Sequence, residues 1–277
     1  MLYARHVGSG PIVLYVHGWG HSSAIWSHVL SLSSDAYTHV AIDLPGYGKA
    51  SHATSCDYRL GHLGRFVLEA ATTLAEHFEK PLHAIVAHSL GGAATAVALQ
   101  QERPLIIPRK LILLDCAFGG ILFLKPLVIL YPLLWVAVTI RRIVPRRICS
   151  VLIKSVGLLT TRPWSSMEQH FVDDVLRVNA TSLVRSLYSA TFRTVPIGVS
   201  PSVSECLILA RGALDWICTH DMNMRRANTW GADTMTFESA SHTPQIEVPQ
   251  RFVDWLSDVL GSRNDNQLNG GRCQQID

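Results

Sequence analysis

The sequence predicts an α/β fold in which helices flank a mostly parallel central sheet. Short apolar, β-branched runs alternate along the chain with stretches whose apolar residues recur at helical spacing. This alternation is typical of parallel sheets that are covered by helices on both faces. A second observation is that residues 118–200 carry no strand pattern and interrupt the alternation. We therefore expect a helical cap inserted between two strands of the sheet.

The individual elements follow from the length and the period of each apolar pattern. A short apolar run that stops at a glycine or a turn predicts a buried strand. Six segments fit this description: 11–16, 39–44, 82–87, 110–116, 206–210 and 234–237. Apolar residues at helical spacing, or an alanine-rich stretch, predict helices. Four segments fit that description: 23–32, 58–80, 91–100 and 249–260.

These elements divide the chain into a core, a cap and a tail. Residues 1–117 and 201–260 are predicted to form the core, and residues 118–200 the helical cap. We expect the cap to cover the carboxyl ends of the strands, where open α/β sheets place their sites. Residues 261–277 are polar and glycine-rich, which predicts a disordered tail.

Composition narrows the possible partners and cofactors. The net charge of +3 over 277 residues is too small to indicate a nucleic-acid partner. The six cysteines contain no CxxC pair, which favours free thiols in a reducing compartment. The first residues lack the pattern of a secretion signal, so we expect a cytoplasmic protein. Neither a metal-ligand cluster nor a dinucleotide fingerprint is visible, and no cofactor or metal is predicted.

A serine in a tight turn is the strongest chemical signal in the chain. Ser89 lies in AHSLGG at 87–92, between a predicted strand and a predicted helix. Such a turn strains the serine and projects its hydroxyl above the sheet, and small residues must surround it. Ala87 stands where a glycine is more usual. The sequence predicts Ser89 as a nucleophile; an ordinary polar residue in a glycine-rich turn is the alternative.

A serine hydroxyl is unreactive at neutral pH and needs a base. His242, in the segment SHTP between the last predicted strand and the last predicted helix, is the candidate. Its loop ends at the same sheet edge as Ser89. His88 is the nearest rival, but we expect its side chain to point away from the hydroxyl of its neighbour.

The imidazole in turn needs an acid to fix its tautomer and stabilise its cation. Asp215 follows the strand predicted at 206–210, again at a carboxyl end. The order Ser89, Asp215, His242 is one that serine hydrolases of α/β folds use. Asp115 and Asp221 are weaker candidates for the acid, and we expect Asp221 to be a solvated helix residue.

The oxyanion of a tetrahedral intermediate needs two amide donors. Leu90, the residue after the candidate nucleophile, is one candidate. The other is Trp19 in HGWG at 17–20, since this turn follows the first long predicted strand. We expect the indole of Trp19 to line an acyl pocket.

Taken together, the motifs resemble the α/β-hydrolase superfamily, and within it the serine esterase and lipase branch, over roughly residues 8–260. The matching pieces are HGWG at 17–20, DLPGYGKAS at 43–51, AHSLGG at 87–92, RGALD at 211–215 and SHTPQIEVPQRF at 241–252. The resemblance implies an α/β-hydrolase fold with a cap between the sixth and seventh strands of the family. Ser89 stands where dehalogenases and epoxide hydrolases of this fold have an aspartate, so acyl transfer through an acyl-enzyme is implied.

The cap region is unusually apolar. Residues 121–140 contain a single charge, Lys125, and are long enough to cross a bilayer. Pro126, Pro132 and the position inside the domain argue against a membrane span. They favour cap helices that line a pocket for an acyl chain or lie against a membrane surface, which would make the protein peripheral to the membrane. A basic run follows: Arg141, Arg142, Arg146 and Arg147. It is either a solvated surface or a site for an anionic partner, namely phospholipid headgroups or an acidic acyl carrier protein.

The motifs are also similar to those of pimeloyl-acyl-carrier-protein methyl ester esterases, which receive an acidic carrier on a basic cap. The turn AHSLG departs from the GWSxG type of that group. The sequence therefore predicts a carboxylic ester hydrolase for small-molecule esters with apolar acyl groups. Alternatives are a lipase-like enzyme at a membrane surface, an acyltransferase or lyase with the same three residues, and a catalytically silent binding protein.

Overall fold

A computed structural model describes residues 4–52, 56–101, 107–116, 136, 139–140, 144–145, 147–151, 168–192, 198–261 and 274–276. Eight strands of this part form one sheet in the order β1-β3-β2-β4-β5-β6-β7-β8. They are β1 Ala4–Val7, β2 Ile12–Val16, β3 Thr38–Ile42, β4 Leu82–His88, β5 Lys110–Leu114, β6 Leu207–Gly212, β7 Asp233–Phe237 and β8 Gln274–Ile276. Only β1 runs antiparallel to its neighbour among these strands. The predicted mostly parallel sheet is confirmed.

Helices cover both faces of this sheet. They are α1 Ser27–Leu32, α2 Leu60–Phe78, α3 Ser89–Gln101, α4 Glu168–Arg177, α5 Ala180–Phe192, α6 Pro201–Ser204, α7 His220–Trp230, α8 Pro244–Glu247 and α9 Pro249–Gly261. A single 3₁₀ turn, Ser23–Trp26, precedes α1. Strand β1 was not predicted, because all four of its residues are exposed and carry no burial pattern.

The apolar runs are explained by a core on each face of the sheet. All five residues of β2 are fully buried. Its alternate residues Ile12, Leu14 and Val16 face the core that includes α2 and α3, whereas Val13 and Tyr15 face the core that includes α1 and α9. Each large apolar side chain buried in this way contributes about 1.5–3 kcal/mol. The sequence of a strand that is buried on both faces is therefore a continuous run of apolar residues.

Small residues bring α2 and α3 close together. A Cβ at Gly64 of α2 would overlap the carbonyl oxygen of Ala94 in α3 and lie 2.8 Å from the Cβ of Ala98. The alanine-rich sequence of α3 thus allows the backbones to approach closely. This packing fixes α3 against the sheet, and with it the position of Ser89 at the start of the helix.

Helices α4 and α5 fall between β5 and β6 in the chain, within the segment expected to be the cap. Three side-chain hydrogen bonds join them to loops that follow β2 and β3: Trp19 Nε1 to Leu183 O at 2.8 Å, Ser22 Oγ to Asp174 Oδ2 at 2.7 Å, and Tyr47 Oη with Ser186 Oγ at 2.6 Å. These loops leave the carboxyl ends of the strands. Helices α4 and α5 therefore lie over the sheet edge where the candidate site residues gather.

Several predictions concern residues outside the described ranges. Arg141, Arg142 and Arg146 are among them, as is most of 121–140. Arg147 is exposed in a helical segment of which residues 147–151 are described. Within residues 261–277, which were predicted to be a tail, Gly261 ends α9 and residues 274–276 form β8 beside β7. The other residues of this segment lie outside the described ranges. Among the described helices, none has both the length and the apolar character of a membrane span.

Candidate active site

Ser89 lies at a strained junction between a strand and a helix. Strand β4 ends at His88 and α3 begins at Ser89, whose φ of +49° falls in the left-handed region. For a residue with a Cβ this conformation costs on the order of 1–3 kcal/mol. A Cβ at Gly91 would lie 2.5 Å from His17 O, and one at Gly92 would overlap Cys116 Sγ. The two glycines are thus sterically required. Ala87 is fully buried in the core, so its methyl group is accommodated.

Ser89, His242 and Asp215 form a continuous chain of hydrogen bonds. Ser89 Oγ lies 3.0 Å from His242 Nε2, and His242 Nδ1 lies 2.8 Å from Asp215 Oδ2. The tautomer that satisfies both contacts carries its proton on Nδ1, which donates to Asp215, while Nε2 accepts from the serine hydroxyl. The three residues predicted to act together are therefore brought into contact from three separate parts of the chain.

The charge of Asp215 is stabilised by its neighbours. Burial raises the pKa of this carboxyl, but the attraction of His242 and hydrogen bonds from His242 and the Ile217 amide bring it below its usual value. The Ile217 amide donates to Asp215 Oδ1 at 2.7 Å. The Arg211 side chain is buried and donates to the Asp215 carbonyl oxygen at 3.2 Å. Asp215 is thus an anion in a loop fixed by backbone and side-chain donors.

Glu247 holds the loop that carries His242. Its carboxylate accepts hydrogen bonds from the amides of Ser241 and Thr243, each at 2.9 Å. The hydroxyl groups of the same two residues also donate to it, at 2.8 Å and 2.9 Å. The residues on either side of His242 are therefore attached to a single anion in α8. Sequence reasoning missed Glu247, because no short motif marks a carboxylate that folds back on the preceding turn.

His88 is hydrogen-bonded to the main chain of His242. Its Nε2 donates a hydrogen bond to the His242 carbonyl oxygen at 2.8 Å. Burial, followed by repulsion from His242, lowers the pKa of His88 to about 3, so its ring is neutral. His88 therefore binds the main chain of the candidate base, and its hydrogen bond is directed to that carbonyl group.

The HGWG turn passes directly beside Ser89. A Cβ at Gly18 would lie 3.0 Å from Ser89 Cβ and 2.7 Å from His88 Nδ1. His17 shapes the turn: its Nδ1 donates to Gly18 O at 2.8 Å, and its Nε2 accepts from the Leu44 amide at 3.0 Å. Burial lowers the pKa of His17, which keeps the ring neutral for these two contacts.

The two candidate oxyanion donors, Leu90 and Trp19, lie next in the chain to Ser89 and to Gly18, respectively. Leu90 is buried in the first turn of α3, where main-chain amides have no partner within the helix. Trp19 follows Gly18 in the turn beside Ser89. Its indole nitrogen donates to the carbonyl of Leu183, so the side chain is attached to α5. The expectation that the indole lines an acyl pocket stays a prediction.

The two alternative acids occupy different environments. Asp221 is exposed in the first turn of α7. Asp115 is completely buried, and its Oδ1 accepts a hydrogen bond from the Gly212 amide at 2.9 Å. Burial, and then the charge of Asp215, raises the pKa of Asp115 well above its usual value. Asp115 therefore lies next to the candidate acid as a neutral carboxyl group.

Two clusters in the described ranges have potential metal ligands within 4.8 Å of one another: Asp115, Asp215 and His242, and Cys56, Asp57 and His62. In the first, His242 Nδ1 is hydrogen-bonded to Asp215 Oδ2, and Asp115 Oδ1 accepts from the Gly212 amide. In the second, His62 Nδ1 lies 2.6 Å from Asp57 Oδ1 at the surface. Both sets of contacts are explained without a metal.

Comparison with known proteins agrees with this fold. The Alpha/beta hydrolase family matches residues 13–255. The chain therefore belongs to the Alpha/beta hydrolase family, which confirms the resemblance drawn from the motifs. Among solved structures, an esterase from Exiguobacterium antarcticum superposes with a TM-score of 0.73 at 16% identity, covering 94% of this chain and 96% of that chain. At this identity the superposition shows a shared fold.

Curated relatives match shorter stretches. The pimeloyl-[acyl-carrier protein] methyl ester esterase of Vibrio cholerae serotype O1 is 38% identical over 105 residues, which is 36% of each protein. The dihydrolipoyllysine-residue acetyltransferase component of the acetoin cleaving system of Cupriavidus necator is 36% identical over 97 residues, 34% of this chain and 24% of that protein. The matches thus span about a third or less of the relatives' length. The family match and the similarity to esterases together support the assignment of this protein as a hydrolase.

Proposed function

We propose that the protein is a serine hydrolase that cleaves carboxylic esters through Ser89, His242 and Asp215. The observation that carries the proposal is the hydrogen-bonded chain of these residues, with Ser89 at a strained strand-to-helix junction. A serine activated by a histidine, which is itself oriented by a carboxylate, is the arrangement that acyl transfer requires.

The geometry supports the following sequence of steps. Ser89 Oγ attacks the ester carbonyl carbon while His242 Nε2 takes the hydroxyl proton, and Asp215 stabilises the resulting imidazolium. The amides of Leu90 and Trp19 donate to the oxyanion; a single donor of this kind is typically worth about 10²- to 10³-fold in kcat. The carbon–oxygen bond then breaks, and His242 protonates the departing alcohol. Water attacks the acyl-enzyme by the same route and releases the acid and free Ser89.

An apolar acyl group is the substrate class that the cap favours. Residues 121–140 contain a single charge. Four aliphatic side chains in the described part of the cap are exposed by 43–63%: Val136, Ile140, Ile148 and Val151. Together with the apolar sequence of 121–140, these side chains support a cap that meets an apolar ligand. We therefore expect activity to increase with acyl chain length before it falls at the limit of the pocket.

Active-site labelling together with a chain-length series tests the function. The wild type is expected to react with a fluorophosphonate probe and to hydrolyse p-nitrophenyl esters from acetate to palmitate. Ser89→Ala should abolish both, whereas Ser31→Ala, at an exposed serine of α1, should leave both unchanged. A folded wild type that is neither labelled nor active would refute the catalytic proposal. Labelling that survives Ser89→Ala would show that another serine is the nucleophile.

Pimeloyl-acyl-carrier-protein methyl ester is the specific substrate that we infer within this class. The partial match to the Vibrio cholerae esterase and the basic run at Arg141, Arg142, Arg146 and Arg147 support it. Replacing all four arginines with Gln should raise KM for a carrier-bound methyl ester and leave KM for p-nitrophenyl butyrate unchanged. A loss confined to esters in anionic vesicles would instead favour the lipase-like alternative. If the variant and the wild type had the same KM on each of the three substrates, the arginines would be solvated surface charges without a partner in the reaction.

A cytoplasmic location is part of the same proposal. Five cysteines in the described ranges are free thiols: Cys56, Cys116, Cys149, Cys206 and Cys218. Free thiols in this number suit a reducing compartment. Fractionation of cells that express a tagged chain tests the location, and recovery outside the cytoplasmic fraction would contradict it.

A further inference from the structure

We propose that Asp115 is a positioning residue whose protonated carboxyl group donates a hydrogen bond to Asp215 and holds that carboxylate against His242. The inference deepens the proposed function and rests on it for the roles of Asp215 and His242. It assigns a task to a buried acid that the reaction steps themselves do not use.

The environment of Asp115 leaves one of its oxygens without a donor. The residue follows β5 with a φ of +50° and is completely buried. Oδ1 accepts from the Gly212 amide at 2.9 Å, at the end of the neighbouring strand β6. Oδ2 is buried and meets no hydrogen-bond donor among the described residues. An ionised carboxylate in this place would leave a buried, unsatisfied charge, which is strongly unfavourable. A proton on Oδ2 removes that penalty.

The acceptor for this proton is Asp215. A carboxylate oxygen of Asp115, one of Asp215 and a ring nitrogen of His242 all lie within 4.8 Å of one another. Two carboxylates this close in a buried site share a proton, because both cannot ionise without strong repulsion. Asp215 already accepts from His242 Nδ1 and from the Ile217 amide. Asp215 therefore has more hydrogen-bond donors to stabilise a negative charge than Asp115 has, and we assign the shared proton to Asp115.

The remaining charged and titratable groups around Asp115 are consistent with this assignment. Arg211, on β6, lowers the pKa of Asp115, but burial and the charge of Asp215 outweigh it. The Arg211 guanidinium donates to the carbonyl oxygens of Cys218, Ala213 and Asp215. Burial raises the pKa of the Cys116 and Cys218 thiols well above the usual value, so they are neutral. The pair of acids thus carries a single negative charge.

The consequence for the site is a fixed carboxylate. Asp215 receives hydrogen bonds from the Ile217 amide, from His242 and, in this assignment, from Asp115. Three donors in different directions define the rotation of the carboxylate plane, which in turn orients the imidazole toward Ser89. Losing one donor should misorient the base rather than remove a substrate contact, and errors of this kind lower kcat more than they raise KM.

Substitutions that separate charge from hydrogen bonding test the proposal. Asp115→Asn preserves both the acceptor for Gly212 and an N–H donor for Asp215, so kcat and KM should stay within about threefold of the wild type. Asp115→Ala removes the donor, and we expect kcat to fall by about 10- to 100-fold with KM nearly unchanged. Asp221→Asn, at an exposed acid, is the matched control and should be silent. A folded Asp115→Ala variant with wild-type kcat would overturn the proposal.

The pH profile of Asp115→Asn decides the protonation state. If Asp115 is neutral, replacing it removes no charge, and the acidic limb of the kcat/KM profile should not move. If Asp115 is an anion, its loss should shift that limb to lower pH by about one unit or more. Such a shift, or a fall in kcat as large as that of Asp115→Ala, would overturn the proposal even where the alanine variant fails to fold.

A spectroscopic readout separates this inference from the proposed function. The proton shared by His242 and Asp215 should give a far-downfield NMR signal in the unliganded protein. The signal should persist in Asp115→Asn and shift or broaden in Asp115→Ala. This measurement needs no turnover, so it still decides the role of Asp115 if the wild type hydrolyses no ester. An unchanged signal in a folded Asp115→Ala variant would count against the inference alone.

Discussion

The indole nitrogen of Trp19 donates a hydrogen bond to the carbonyl oxygen of Leu183 across 2.8 Å. Trp19 belongs to the turn beside Ser89, and Leu183 lies in α5, within the segment predicted to be a cap. The contact therefore links the loop proposed to stabilise the oxyanion with a helix above the site. In the proposed function the main chain and the side chain of Trp19 have separate tasks, because the amide is the proposed oxyanion donor and the indole is attached to α5.

Replacing Trp19 with Phe should loosen α5 and leave the proposed amide donor in place. Loss of one hydrogen bond costs about 1 kcal/mol, which corresponds to a fall in Tm of about 2–4 °C for a domain of this size. We expect KM for long-chain p-nitrophenyl esters to rise while kcat on the acetate ester stays within about threefold. Thermal denaturation and steady-state kinetics measure both effects. A tenfold or greater fall in kcat on acetate would mean that the indole takes part in the chemistry.

Replacing Asp215 with Asn should be far more severe. The amide keeps the shape of the side chain but favours the wrong tautomer of His242, and in serine hydrolases such a change lowers kcat by roughly 10³- to 10⁴-fold. Hydrolysis of p-nitrophenyl butyrate by wild type and variant, normalised to folded protein by circular dichroism, measures the loss. If the variant kept more than a tenth of the activity, Asp115 would become the better candidate for the acid.

Replacing Glu247 with Ala should affect stability and activity together. The substitution removes the acceptor for the Ser241 and Thr243 amides. Leaving these donors without a partner lowers the free energy of unfolding by about 2–4 kcal/mol. His242 lies between the two freed residues, so kcat should fall by about tenfold or more. Urea denaturation and kinetics test this, with Glu205→Ala, at an exposed glutamate, as the control. Full activity in a destabilised variant would show that the loop keeps its shape without Glu247.

The contact between Ser22 and Asp174 should make stability depend on pH. Burial raises the pKa of Asp174 to about 6, although the hydrogen bond from Ser22 acts in the opposite direction. Because the folded-state pKa lies above the unfolded one, the contribution of Asp174 to stability is complete below about pH 4 and is lost as the pH rises through about 6. Asp174→Asn should therefore stabilise the protein relative to the wild type at pH 8, on the order of 2 kcal/mol, and much less at pH 4.

Denaturation of wild type and variants at both pH values tests this sign. Ser22→Ala is the matched variant, because it keeps the carboxylate and removes its donor. Its destabilisation should be larger at pH 8, where Asp174 is charged, than at pH 4. The same difference between wild type and Asp174→Asn at both pH values would contradict the prediction.

Most of the strands and helices could be predicted from local patterns of apolar residues. The buried strands were predictable because a strand covered on both faces must be apolar throughout, and the long helix α2 because one of its faces packs against the sheet. The short strand β1 escaped prediction, since its residues are exposed and its pairing with β3 depends on distant parts of the chain. Helices α4 and α5 were expected only as an interruption of the strand pattern, without bounds.

The candidate site was predictable only for residues that sit at the ends of elements. Ser89, Asp215 and His242 follow recognisable strands, so the shared sheet edge was enough to group them. The supporting residues Glu247 and Arg211 were not found, because their roles depend on which carbonyl and amide groups a folded loop presents. No spacing in a sequence encodes such contacts.

The sequence by itself indicated the family, the buried strands of a mostly parallel sheet and the three residues that compose the proposed relay, because each depends on short motifs and on the period of apolar residues. Only the tertiary structure decided the φ of +49° that strains Ser89 as its turn predicts, the contacts by which Glu247 holds the loop of His242, and the place of a second acid, Asp115, within 4.8 Å of Asp215. The reason is physical: strain, burial and the sharing of a proton arise from groups that are far apart in the chain and meet only when the sheet is formed.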